Sequence, residues 1–362
     1  MYTRQQIKSV HLEVTSHCNA SCPQCPRNLE GGARNPNLPL TQLYLGDIER
    51  IFPVAEFPAL KRVQFCGNYG DAVMARDFLP NVRHIKRLYP KVKISLATNG
   101  SLRPTDWWAD VAEIVDHCTF GIDGLADTHM LYRRGTSFET VIENARAYIA
   151  AGGRAEWAYL IFKHNQHQVD EAYQLSRKLG FHDFSAKATS RFYRDGRKAS
   201  AIPVRNESGE IAYHLEATDR AGLGNRELDR LDSLALENEE NFTEYIRNTR
   251  IDCKAVKRKK LYISAEGYVF PCCWLGNIYA ADMPWQETEI GRAIVAGGGL
   301  HLLNAKVHSI GSILDGDFFT KVIPERWACG AARLDVCSKM CGEIDMNLAQ
   351  YVDYRPAENC VA

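Results

Sequence analysis

No apolar run in the 362-residue sequence approaches the roughly 18 residues that a membrane-spanning helix requires. The opening stretch, MYTRQQIKSVHLEV, also has no apolar core of the kind a secretory signal carries. These two absences lead us to expect a cytoplasmic protein without a membrane partner. Net charge is missing as well. With 44 Lys and Arg against 44 Asp and Glu, no overall field draws the chain to nucleic acid, although local basic patches remain. Internal repeats and long low-complexity tracts are absent too. Apolar residues make up 45% of the chain, enough for a sizeable core, and the length favours one large domain plus a smaller one.

Cysteine, by contrast, is abundant and unevenly placed. Of twelve cysteines, three fall at 18, 22 and 25, and seven fall at 253, 272, 273, 329, 337, 341 and 360. Only Cys66 and Cys118 lie between, and both read as buried strand residues. In a reducing compartment such clusters point to metal binding or catalysis rather than to a disulfide framework.

Between about 8 and 190, short apolar runs alternate with amphipathic stretches. Strands are predicted at 10–14, 62–66, 93–97, 118–122, 157–162 and 184–188, with helices at 41–52, 77–88, 105–116, 137–151 and 167–179. Regular strand–helix alternation implies parallel strands, in a doubly wound sheet or an open barrel, with chemistry at the carboxyl ends of the strands. That rule groups four loops on one rim: the thiol loop TSHCNASCPQC (15–25), GNYGD (67–71), TNGS (98–101) and DGLAD (123–127). From 190 to 250 the alternation breaks down, and 227–246 reads as an acidic bridging or lid helix. Next, KLYISAEGYVFPCC (260–273) has the alternation and Glu-Gly turn of a β-hairpin ending in thiols, and 309–327 is helix-rich. The basic run KRKK (257–260) reads as a solvated approach to that hairpin.

The spacing Cys18, Cys22, Cys25 is CxxxCxxC. With His17 it could form a zinc site, but no second paired ligand set follows. Three thiolates in one loop also suit an iron–sulfur cubane with one iron left open to a substrate.

On these residues the chain resembles the radical S-adenosylmethionine (SAM) superfamily. The resemblance implies an α/β fold: a partial (β/α)6 barrel followed by a small twitch- or SPASM-type domain of hairpin plus helix. It implies domains at 1–200 (barrel), 201–250 (bridging segment) and 251–362 (auxiliary domain). Cys18, Cys22 and Cys25 would hold a [4Fe–4S] cluster whose open iron binds SAM, cleaving it to a 5′-deoxyadenosyl radical that abstracts hydrogen from substrate. GNYGDA stands where the family has its Gly-Glu-Pro motif, making Gly67, Gly70 and Asp71 candidates for the methionyl amino group. Asn99 is a candidate for ribose or carboxylate contacts. Within IDGLADTHMLYRRG, Asp123 marks the family's Asp-Gly pair, and Arg133, with Arg134 as its alternative, would bind the SAM carboxylate. The chain departs from the family in two places: the residue before the third cysteine is usually aromatic and packs near the adenine, but here it is Gln24, and Asp71 and Ala72 replace the usual Glu and Pro of the glycine-rich motif.

The pattern Cys253-x13-Gly267-x4-Cys272 resembles the twitch and SPASM hairpin, and Cys337 and Cys341 complete a four-thiolate set for one auxiliary [4Fe–4S] cluster. Cys273, Cys329 and Cys360 are left as spare thiols for a second. The implied partners are a flavodoxin- or ferredoxin-type electron donor and a small-molecule or peptide substrate. Because Cys18 comes early, no leader-binding domain is expected before the barrel, which favours a small molecule or a peptide delivered by a separate protein. The rival reading is a non-catalytic iron–sulfur or zinc scaffold.

Overall fold

The computed structural model describes residues 1–344 apart from 195–196, 238, 281–282, 329 and 331, so Cys329 and Cys360 lie outside the described residues. All six expected strands form, within two residues of their predicted ends. They are β1 (Ser9–Leu12), β2 (Arg62–Phe65), β3 (Lys93–Thr98), β4 (His117–Gly121), β5 (Ala155–Leu160) and β6 (Asp183–Lys187). They pair in sequence order and every pairing is parallel. The strands carry apolar residues because helices cover their outer face.

The expected helices form as well: α1 (Leu45–Ile51), α2 (Phe78–Leu88), α3 (Thr105–Ile114), α5 (Phe138–Ala150) and α6 (Val169–Lys178), with one extra turn, α4 (His129–Tyr132). Helix α2 shows the logic. Phe78, Val82 and Ile85, spaced four and three apart, bury one face, while Lys86 and Arg87 stay near its carboxyl end. Ser137 caps α5 by accepting a hydrogen bond from the Thr140 amide at 3.3 Å.

Where the alternation breaks down, the chain forms two small antiparallel pairs. These are β7 (Tyr193–Arg194) with β8 (Arg197–Lys198), and β9 (Ala201–Arg205) with β10 (Ile211–Glu216). Helices α7 (Arg226–Glu237) and α8 (Glu239–Asn248) follow. The acidic stretch is therefore two helices rather than one, and it is not merely solvated. Leu228 and Leu231 of α7 join Phe162, Phe192, Ile202 and Val204 in a second core that also contains Ala20 and Cys22 of the thiol loop.

The predicted hairpin is present as β11 (Lys260–Ile263) and β12 (Val269–Phe270), preceded by the short helix α9 (Lys254–Arg258). Its turn uses Gly267 at φ +93°, a conformation only glycine adopts without strain. Its position is the part that periodicity does not reveal. Strand β11 lies parallel beside β1, with Val10 opposite Leu261 and Leu12 opposite Ile263, so one eight-stranded sheet runs β12-β11-β1-β2-β3-β4-β5-β6. Barrel and hairpin consequently share one hydrophobic core. No described helix is long and apolar enough to cross a membrane.

Candidate active site

At the carboxyl ends of the barrel strands lies a cavity of about 440 Å³. Cys18, Cys22 and Cys25 line it, as do Gly67, Gly70 and Asp71 from the loop after β2. Asn99, Asp123 and Arg133 complete the set, so nine barrel candidates named from the sequence face this one space.

The thiol loop is held from several sides. The Ser21 amide donates to the Arg134 carbonyl at 2.9 Å, and the Arg27 guanidinium donates to the Ser16 carbonyl. Asn99 Nδ2 donates to Asn19 Oδ1 at 3.0 Å and lies 3.7 Å from Cys18 Sγ. Burial pushes the Cys18 thiol well up. It pushes Cys22 up to about 11, with the Arg133 guanidinium pulling the other way. Because metal ligation requires thiolates, loading such a loop must release protons.

Gly67 and Gly70 are required first by packing. A Cβ on Gly70 would lie 1.7 Å from the Thr15 carbonyl oxygen, and one on Gly67 would lie 2.2 Å from the Gly70 carbonyl oxygen. Asp71 joins two rim loops. Its carboxylate accepts from the Asn99 amide at 2.7 Å, from Thr98 Oγ1 at 2.9 Å and from the Val73 amide at 3.2 Å. Of the roughly four acceptor positions of a carboxylate, about one is left for the cavity.

Asp123 is fully buried and accepts from the Leu160 amide at 2.5 Å and from Arg133 Nε at 2.6 Å. Burial raises its carboxyl, and Arg133 opposes that rise. Although burial works against the Arg133 charge, Asp123 keeps the guanidinium protonated, above its ordinary value. A Cβ on Gly121 would fall 2.2 Å from Arg133 Nη2, so a glycine at the end of β4 makes room for that side chain. Arg134 points elsewhere, donating to the carbonyls of Gly31 at 2.8 Å and Arg205 at 2.6 Å. Of the two arginines, only Arg133 reaches the cavity.

Some lining residues escaped the sequence reading. Lys187 ends β6, Thr189 and Arg191 follow it, and Leu160 ends β5; applying the strand-end rule to all six strands would have found them. Cys66 is not simply a buried strand residue, because it lines the cavity wall at the end of β2. Cys118 is buried in the core, as expected. Glu13, at the end of β1, had no sequence signal. Only 2% exposed, it accepts from the Tyr69 and Gly70 amides at 2.8 and 2.9 Å and from the Tyr262 hydroxyl of β11.

A second space, of about 110 Å³, lies beside the hairpin and is lined by Cys253, Cys272, Cys337 and Cys341, with Cys273 at its edge. Cys253 stands at the start of α9 and Cys272 follows β12, while Cys337 and Cys341 lie four apart on the helix Asp335–Cys341 and so share a face. Burial pushes the Cys337 thiol up to about 12. The basic run is not just a solvated approach: its Arg258 and Lys260 border this pocket, together with Lys254.

Among the described residues, no group of three or more His, Cys, Asp or Glu side chains could hold a single metal ion.

Residues 12–179 match the family described as the radical SAM superfamily. The tungsten-containing aldehyde ferredoxin oxidoreductase cofactor-modifying protein of Pyrococcus furiosus is 30% identical over 121 residues, 33% of this chain and 32% of that protein. The chain thus matches about a third of that relative's length. Among solved structures, anSMEcpe with bound AdoMet superposes with a TM-score of 0.54 at 15% identity, covering 88% of this chain and 80% of that one. SuiB of Streptococcus suis bound to the precursor peptide SuiA gives 0.53 at 14% identity, covering 97% and 76%. With the fold, the thiol loop and the family match in agreement, residues 12–179 form a radical SAM superfamily domain.

Proposed function

We propose that Cys18, Cys22 and Cys25 hold a [4Fe–4S] cluster and that the barrel cavity binds SAM. The observation that carries this reading is the convergence of all nine barrel candidates on one cavity. When bound, the cluster supplies the electron that splits SAM into methionine and a 5′-deoxyadenosyl radical, which takes a hydrogen atom from the substrate. Arg133, oriented by Asp123, presents its free N–H groups to the SAM carboxylate, a pairing that a guanidinium makes bidentately. Asp71 and the Gly67–Gly70 backbone offer acceptors to the methionyl ammonium. Asn99 steadies Cys18 and the loop around it.

Cys253, Cys272, Cys337 and Cys341 would hold an auxiliary [4Fe–4S] cluster, which would supply an electron acceptor or a contact for the substrate. Reducing equivalents come from a flavodoxin- or ferredoxin-type donor. A peptide substrate is favoured over a small metabolite, in keeping with SuiB, which has been solved with a precursor peptide bound. Anaerobic reconstitution with iron, sulfide, dithionite and SAM tests the proposal. 5′-Deoxyadenosine must form, and its absence from a fully loaded protein returns the chain to the scaffold reading.

A further inference from the structure

The glycine-rich loop after β2 is fastened to the hairpin as well as to the barrel. Asn68 and Tyr69, between Gly67 and Gly70, line the barrel cavity with them. Both side chains also reach the segment that follows β12. Asn68 Nδ2 donates to the Cys273 carbonyl at 2.8 Å, across a separation of 205 residues. The Tyr69 hydroxyl accepts from the Tyr279 amide at 2.9 Å, and the two tyrosine rings lie 5.9 Å apart. Glu13 makes a third link, because its carboxylate accepts from the Tyr69 and Gly70 amides and from the Tyr262 hydroxyl of β11.

Neither end of these links can order itself. Gly67 and Gly70 bring no side chain, so the contacts of Asn68 and Tyr69 must offset the entropy cost of fixing the loop. Residues 271–280 form neither helix nor strand, and Cys273 directly follows Cys272, one of the four thiols on the hairpin pocket. We propose that Asn68 and Tyr69 are positioning residues that couple the two sites, so that filling the Cys253–Cys341 pocket tightens SAM binding in the barrel. Ligation at Cys272 fixes the Cys273 carbonyl, and that carbonyl fixes Asn68. An ordering cost met at one site is then not met again at the other, which makes the two bindings cooperative. The inference rests on the proposed loading of both thiol sites.

The test is the SAM affinity of the reconstituted, unreduced protein by equilibrium dialysis, so that no turnover intervenes. Wild type, Cys337→Ala, Asn68→Ala and the double variant are compared, each with its iron counted. Cys337→Ala, lacking about four irons, should bind SAM at least about fivefold more weakly, within the usual span of coupling between sites. Asn68→Ala should cost a similar factor when the pocket is filled, and less than about twofold in the Cys337→Ala background. Should Cys337→Ala fail to fold, Tyr69→Phe decides. It keeps every thiol and both rings but loses the acceptor for Tyr279, so it should weaken SAM binding at least about threefold at full iron content. An Asn68→Ala loss that is equal in both backgrounds makes Asn68 a direct SAM contact and overturns the inference. Wild-type affinity in Cys337→Ala, or in Tyr69→Phe where that variant decides, overturns it too. Failure of the functional reading looks different: wild type itself then holds no auxiliary iron or forms no 5′-deoxyadenosine, whatever its variants bind.

Discussion

The thiol site of the barrel and the thiol site of the hairpin are built in opposite ways. The first takes three cysteines from eight consecutive residues and opens on a cavity of about 440 Å³ lined by carboxylates, amides, two arginines and a lysine. The second gathers four cysteines, from Cys253 to Cys341, around about 110 Å³ bordered by aromatic, aliphatic and basic side chains. One loop can supply three ligands and leave a fourth direction open, whereas four ligands from three separate elements would enclose what they hold. A local site thus suits a reacting centre, and a non-local one suits a centre that only passes electrons or positions a substrate. Glu13 and Tyr262 join the two regions through a carboxylate that binds both the Gly67–Gly70 loop and β11.

Mutations should separate the two regions. Replacing Cys18, Cys22 or Cys25 with Ala should reduce 5′-deoxyadenosine formation to background, the largest effect expected, and chromatographic assay of the reconstituted protein measures it. If such a variant retains cleavage, the loop is not the reacting centre. Cys337→Ala should lower iron by about four per chain while 5′-deoxyadenosine still forms, uncoupled from product. An unchanged iron content would show that the hairpin pocket holds no cluster. Next comes Arg133→Lys, which keeps a charge but loses the planar fork; SAM binding should weaken about tenfold to a hundredfold, or about 1.5–3 kcal/mol, by calorimetry. The matching change Arg134→Lys should leave SAM affinity within a factor of about two, because Arg134 serves backbone carbonyls outside the cavity.

The smallest effect concerns the link itself. Burial raises the Glu13 carboxyl from 4.5 to about 7, against the hydrogen bonds it accepts. Between those values the folded chain keeps a proton that the unfolded chain has released. Stability from this group is therefore complete below about pH 4.5 and declines as pH rises to about 7, by about 3 kcal/mol at most. Glu13→Gln should flatten that decline and raise the melting temperature at pH 8 by a few degrees. A steeper pH dependence in the variant would contradict the burial argument.

Much of this protein was legible because its signals are local. Strand–helix alternation is a property of consecutive residues, so the six barrel strands and their helices could be read from periodicity. CxxxCxxC is likewise one loop, and the strand-end rule groups it with Gly67, Asn99 and Asp123 from sequence order alone. The choice between Arg133 and Arg134 was not legible, because adjacent residues in a turn face different ways and only packing decides which one meets Asp123. Glu13 was not legible either. Its partners lie 56, 57 and 249 residues away, and no periodicity marks such contacts.

The sequence by itself determined the class of fold, the three-thiol loop and the cysteine sets at both ends, since propensity, spacing and residue chemistry act over a few residues. The tertiary structure decided that β11 joins β1 and that the Cys253–Cys341 thiols share one pocket. It also decided that Asn68 meets the Cys273 carbonyl. Such placements depend on which distant surfaces exclude water together, a property that no short stretch of chain contains.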